Sequence, residues 1–124
     1  MVEVVYTDEF EAWWDGLSER EQDDVGAVVD ALQERGVGLR FPLSSAIRGS
    51  KIALRELRIQ SGGHPLRVFY AFDPKRQAVL LIGGDKTGRD RFYAEMIPAA
   101  EAIYEAYLKE TEGEASSQRP RPRR

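Results

Sequence analysis

The apolar positions of this chain change their period several times, and each change marks an element. Val2–Tyr6 is short and β-branched and reads as a strand. Phe10, Trp13, Trp14 and Leu17 then fall at i, i+3, i+4 and i+7, one helical stripe behind Asp8 and Glu11, a capping-box-like pair. Gly16 can close that helix. Ser18 and Glu21 form a second capping box, Val25, Val28, Val29 and Leu32 repeat the stripe, and Gly36 supplies the stop. Two such helices with a tight connection predict a pair laid on a sheet, with both tryptophans in the core rather than on a ligand platform.

Residues 37–51 (VGLRFPLSSAIRGSK) lose the period and are rich in Gly, Ser and Pro, which predicts a loop. Three strands follow at about 52–60, 66–72 and 78–83, with a turn at 73–77. The last of them, AVLLIG, is apolar throughout and is expected inside the sheet. After GDKTGRDRF, the residues Met96, Ile97, Ala100, Ile103, Tyr104, Tyr107 and Leu108 share one side of a final helix, which Pro98 either opens or kinks. The order is that of an α+β domain over residues 1–110. Residues 111–124 are poor in apolar side chains and are expected to be a disordered tail. The four arginines of that tail either solubilise it or touch nucleic acid weakly.

Strand periodicity also fixes where two arginines point. Leu57 and Ile59 share one face of their strand, and Glu56, Arg58 and Gln60 share the other. Leu66, Val68, Tyr70 and Phe72 lie opposite Arg67, Phe69 and Ala71. Matching apolar face to apolar face selects a four-residue loop, Ser61–Gly62–Gly63–His64, with Gln60 paired to Pro65. That register sets Arg58 directly across from Arg67 on the polar face. Like charges so placed are destabilising, by roughly a few tenths to 1 kcal/mol. Either Glu56 neutralises them, or they wait for a phosphate, which the planar five-donor guanidinium suits.

Composition narrows the chemistry. The chain has 124 residues, 42% hydrophobic and 31% charged, enough for one core without staples. It has no cysteine, hence no disulfide or thiolate metal site, and a single histidine, His64, on the expected hairpin turn. No apolar run approaches the roughly 20 residues that span a bilayer, and the acidic N-terminus does not resemble a signal peptide. A cytoplasmic location is expected, with no membrane partner. Charge is segregated: residues 1–36 hold 2 Lys/Arg against 11 Asp/Glu, whereas 37–92 hold 11 against 4. A basic middle between acidic helices suggests a polyanionic or acidic partner on one face, or simply a solvated mixed surface. The basic 37–51 loop, with Arg40, Arg48 and Lys51, either lines such a surface or only connects. GGDKTGRDRFY (83–93) adds Lys86, Arg89, Arg91 and Tyr93 among glycines that let backbone amides approach an anion. It is not a P-loop, since GxxxxGK[ST] is absent. Basic groups with an aromatic among them suit single-stranded RNA; salt bridges to Asp85 and Asp90 are the plainer use.

In combination, LRELRI (54–59), PLRVFYAFD (65–73) and LLIGGDKTG (80–88) in a β-α-α-β-β-β-α order resemble the RelE/ParE toxin superfamily, in particular its HigB-like, phage-derived branch. The resemblance covers about residues 2–108. It implies a RelE-like fold and a toxin of a type II toxin–antitoxin system: a ribosome-dependent mRNA endoribonuclease that blocks translation. It further implies cleavage by 2′-hydroxyl attack on the adjacent phosphate without metal or cofactor. The implied partners are the ribosome, mRNA and a cognate antitoxin, often a helix-turn-helix protein. Carried over by position, Arg67 stabilises the phosphorane-like transition state, and Lys86 supplies charge or acts on a proton. Tyr93 is a base or a stacking platform, and Arg58 is the arginine of the branch's E-L-R motif. Arg48, Lys51, Arg89, Arg91 and His64 are the surrounding candidate RNA contacts. The alternatives are a ParE-like toxin that inhibits DNA gyrase without cutting RNA, and a degenerate member that only binds protein.

Overall fold

The computed structural model describes residues 1–117. Its elements run β1 (Val4–Tyr6), α1 (Asp8–Asp15), α2 (Glu19–Arg35), β2 (Ser44–Ala46), β3 (Arg55–Ser61), β4 (His64–Phe72), β5 (Ala78–Asp85) and α3 (Phe92–Ser117). This is an α+β domain around a five-stranded sheet of order β1-β5-β4-β3-β2. Only β1 and β5 are parallel; the other pairs are antiparallel. The apolar strand β5 is interior, between β1 and β4.

The sheet is buried on both faces. On one, Phe10, Val25, Val28 and Leu32 of α1 and α2 cover Leu57, Ile59, Leu66, Val68, Tyr70 and Leu80. On the other, Phe92, Met96, Ala100 and Tyr107 of α3 cover Phe69, Ala71, Val79 and Leu81. The face that carries Arg58 and Arg67 is therefore polar only at one end, beyond the reach of the α3 core.

Local chemistry sets the helix ends. The second capping box forms as expected, with Ser18 and Glu21 exchanging hydrogen bonds, and Gly16 and Gly36 cap α1 and α2. The first does not. α1 is capped by Thr7, one residue before Asp8; its hydroxyl accepts from the Phe10 amide and donates to the Leu81 carbonyl. A hydroxyl can do both at once, which a carboxylate cannot. Pro98 lies inside α3, not at its start. That helix continues past residue 110 to Ser117, and the arginines of the tail lie outside the described residues.

Two further differences concern the strands. The segment 37–51 is not all loop: Ser44–Ala46 pairs with Arg55–Leu57 as β2. Three residues without apolar alternation leave no period to read. The β3–β4 register matches expectation, with Arg58 opposite Arg67 and Gln60 opposite Pro65. Pairing continues one step further, Ser61 to His64, so the turn is only Gly62–Gly63, both at positive φ. Two residues at positive φ make the mirror-image turn whose twist suits a tight hairpin.

Gly83 and Gly84 are needed for packing. A side chain on Gly83 would overlap the Trp13 indole on one face, and one on Gly84 would press into the Phe92 ring on the other. Adjacent strand residues point to opposite faces, so the pair lets an aromatic ring approach closely on each side of β5. Gly83→Ala is expected to cost about 1–3 kcal/mol through overpacking. Gly38→Ala, where nothing lies within 4 Å, should stay within about 0.5 kcal/mol of wild type. Urea denaturation of the two variants measures both.

Candidate functional site

Four elements meet at the polar end of the α3-side face, and the carboxylate of Glu56 is their meeting point. Glu56 is 4% exposed. Its Oε1 accepts from the Tyr93 hydroxyl at 2.7 Å, and its Oε2 accepts from Ser45 Oγ at 3.0 Å and from Arg58 Nη1 at 3.3 Å. Arg67 Nε lies 3.5 Å from Oε1, close enough for an ion pair but too poorly aligned for a hydrogen bond. Arg67 is itself 6% exposed, and its Nη1 donates to the Leu66 carbonyl at 3.1 Å. Two arginines from neighbouring strands thus tolerate each other because one carboxylate sits between them.

Lys86 closes the other side. Its amide donates to the Pro65 carbonyl, anchoring the end of β5, and its ammonium lies 5.8 Å from the Tyr93 ring centroid. Phe69 and Phe92 meet the same ring edge-on. Tyr93 is therefore held on several sides and is half-buried. Burial, followed by the hydrogen bond to Glu56, raises its phenol above the ordinary tyrosine value, with Arg67 opposing. At neutral pH it is a proton donor and not a base, and its packed ring is poorly placed to stack a nucleotide.

Arg58, Arg67, Lys86 and Tyr93 are thus brought together; the other sequence candidates are not. Arg89 donates to Glu95 at 2.6 Å and lies over the Phe92 ring. His64 is exposed, its Nδ1 3.1 Å from Thr87 Oγ1 and 3.5 Å from Asp85 Oδ2. Burial opposes ionisation of Asp85, but hydrogen bonds from Thr87 outweigh it, and His64 and Arg89 add attraction. Its carboxyl is held below the ordinary value. Asp85 is thus taken up by Thr87 and His64, and Arg89 pairs with Glu95 rather than with Asp85 or Asp90. Arg48 and Arg91 are exposed. The Lys51 amide and Ser50 hydroxyl both donate to Glu101, eight residues along α3 from Tyr93, or about 12 Å at 1.5 Å per residue. Sequence reasoning placed Glu56 on the right face as a neutraliser. It missed Ser45, which lies in the unrecognised strand β2. Among the described residues no three His, Cys, Asp or Glu side chains converge as a metal site, and no helix is long and apolar enough to cross a membrane.

The profile of the phage-derived Gp49-like proteins matches residues 12–105. The chain belongs to that family, the HigB-type branch of the RelE superfamily. It is 37% identical over 113 residues to the candidate toxin HigB2 of Mycobacterium tuberculosis, covering 89% of this chain and 56% of that protein. It is 34% identical over 112 residues to the candidate toxin HigB3 of the same organism, covering 89% of this chain and 96% of that protein. The chain thus spans little more than half the length of the first relative and nearly all of the second.

Two outcomes test the geometry. Tyr93→Phe removes one donor from a buried carboxylate and should cost about 1–2 kcal/mol at pH 7. The phenol's folded pKa lies above its unfolded value of about 10, so its stabilisation is complete below that pH and is lost as pH rises through the folded value. The stability gap between wild type and Tyr93→Phe should therefore narrow above about pH 10, as urea melts at pH 7 and pH 11 would show. Glu56→Gln leaves Arg67 buried without a counter-charge and should cost about 3–5 kcal/mol, measurable in the same melts.

Proposed function

We propose that this protein is the toxin of a type II toxin–antitoxin pair and a metal-independent endoribonuclease that cuts mRNA on the ribosome. The observation that carries the reading is the convergence of Arg58, Arg67, Lys86 and Tyr93 at one end of one sheet face, in a family whose relatives are named as HigB toxins. A pentavalent phosphorane carries more charge than the phosphodiester it forms from, so fixed cations stabilise the transition state preferentially. Arg58 and Lys86, both half-buried, present that charge to a scissile phosphate. Arg67 adds its field from beneath, and Tyr93, protonated, donates to a phosphate oxygen or the leaving group. Glu56 positions the set: both its oxygens are already occupied by donors, so it fixes the cations instead of taking the 2′-hydroxyl proton. The site of action is the cytoplasm, and a cognate antitoxin of the helix-turn-helix kind holds the activity in check.

One observation favours a second reading. Arg67 is nearly sealed, and part of its charge is offset by Glu56. A protein that inhibits DNA gyrase, or only binds another protein, needs no exposed arginine there. Growth on induction, with mRNA 5′-end mapping, separates the readings. Because Arg67→Ala strips a buried charge pair, the informative variants are Arg58→Ala and Lys86→Ala. Arrest with new codon-phased mRNA ends, and a cleavage rate about 10²–10³-fold lower in Arg58→Ala, is the expected result. Arrest without new ends would move the assignment to gyrase, checked by a supercoiling assay. A folded protein that causes no arrest would leave protein binding.

A further inference from the structure

Phe41 is 71% exposed, one of three large apolar side chains that face solvent among the described residues. It is not isolated. The guanidinium of Arg58 lies 5.2 Å from its ring centroid, and the same guanidinium donates to Glu56. The Arg58 amide in turn donates to the Leu43 carbonyl, tying the loop that carries Phe41 to the edge of β3. The contacts form one continuous strip: the Phe41 ring, Arg58, Glu56, the Tyr93 ring, then the Lys86 ammonium. Arg40 is exposed beside it. An aromatic ring faced on one side by a guanidinium and open on the other is a ready stacking surface for a planar, electron-rich base. The cations beside it favour a polyanion over an apolar peptide.

We propose that Phe41 is a nucleobase platform: its open face stacks one base of single-stranded RNA, while Arg58 holds the adjoining phosphate. The inference rests on the ribonuclease reading above and adds a residue to it, displacing Tyr93 as the stacking group. Phe41 touches the substrate away from the scissile bond. Its role is to position the strand and to favour the base that stacks best at that point.

The test is cleavage of a defined mRNA on programmed ribosomes by wild type, Phe41→Leu and Phe41→Trp, with thermal melts confirming that each is folded. A base stacked on an aromatic ring is worth enough that its loss should raise KM roughly 5- to 150-fold, with a smaller change in kcat. Phe41→Trp should restore the wild-type KM, because the indole offers a larger face, and mapped ends should lose base preference at one position in Phe41→Leu. A leucine that leaves KM and the mapped ends unchanged would overturn the platform while the nuclease reading stands, and would assign the exposed ring to a protein partner. Failure of the wild type to cut would overturn the nuclease reading and this inference together.

Discussion

A carboxylate taken out of water is costly unless donors and counter-charges surround it, and Glu56 is met by three hydrogen-bond donors and one ion-pair partner from four different elements. Ser45 comes from β2, Arg58 from β3 itself, Arg67 from β4 and Tyr93 from α3. Each contact ties down one thing: the short edge strand, the hairpin register, the middle of the sheet and the start of the last helix. Without the carboxylate, two guanidinium groups would face each other across adjacent strands, one of them almost wholly buried. An apolar set of similar volume can hold a fold at least as well as a buried ion pair. What the charged set adds is a group of donors whose positions are fixed before any ligand arrives, which is the preorganisation that electrostatic catalysis requires.

The same face shows how a sheet can be both core and site. Near its middle, Phe69, Ala71, Val79 and Leu81 are covered by α3. The β4–β5 pairing slips between Phe69 and Tyr70, and beyond that point Gly84 lies opposite Arg67. Because Gly84 has no side chain, Phe92 can lie over it, and the first turn of α3 comes close enough for Tyr93 to reach Glu56. Midway along α3, the hydroxyls of Tyr104 and Tyr107 bond to the Phe72 carbonyl and the Asp73 carboxylate at the end of β4. The helix is pinned to β3 at its start and to the end of β4 at its middle, so Tyr93 is held by the packing of α3 as well as by its own hydrogen bond.

Strand alternation was the most informative signal in the sequence. It placed Arg58 opposite Arg67 because only one register buries Leu57, Ile59, Leu66 and Val68 together, and that constraint is strong. It shortened the hairpin less well, since Ser61 and His64 can pair or loop without changing which residues are buried. The strand β2 was illegible because three residues of Ser-Ser-Ala carry no alternation, and Ser45 was lost with it. Capping was ambiguous at Thr7–Asp8, where either residue suits an N-cap, and the second hydrogen bond of Thr7, to Leu81, is a tertiary contact. The packing role of Gly83–Gly84 was missed because the rings that need the space, Trp13 and Phe92, are brought to the two sides of β5 only by the tertiary fold. Arg89 and Lys86 are alike in sequence and both face an aromatic ring, yet only the structure shows that Arg89 is also paired with the Glu95 carboxylate.

The net charge of −3 says less about an RNA partner than its distribution does. Most of the carboxylates of α1 and α2 are exposed, and those helices cover the face of the sheet opposite Arg58 and Lys86. A helix layer packs about 10 Å from a sheet, so the outer acidic surface lies well beyond the screening length of about 8 Å at physiological salt. Its repulsion is therefore weak at the cationic strip, whereas the arginines and lysine act within a few ångströms. Any polyanion would meet carboxylates on one face of the sheet and cations on the other, so the distribution favours approach from the α3 side. The strip itself carries an exposed aromatic at one end and an ammonium at the other, with Glu56 between its two arginines.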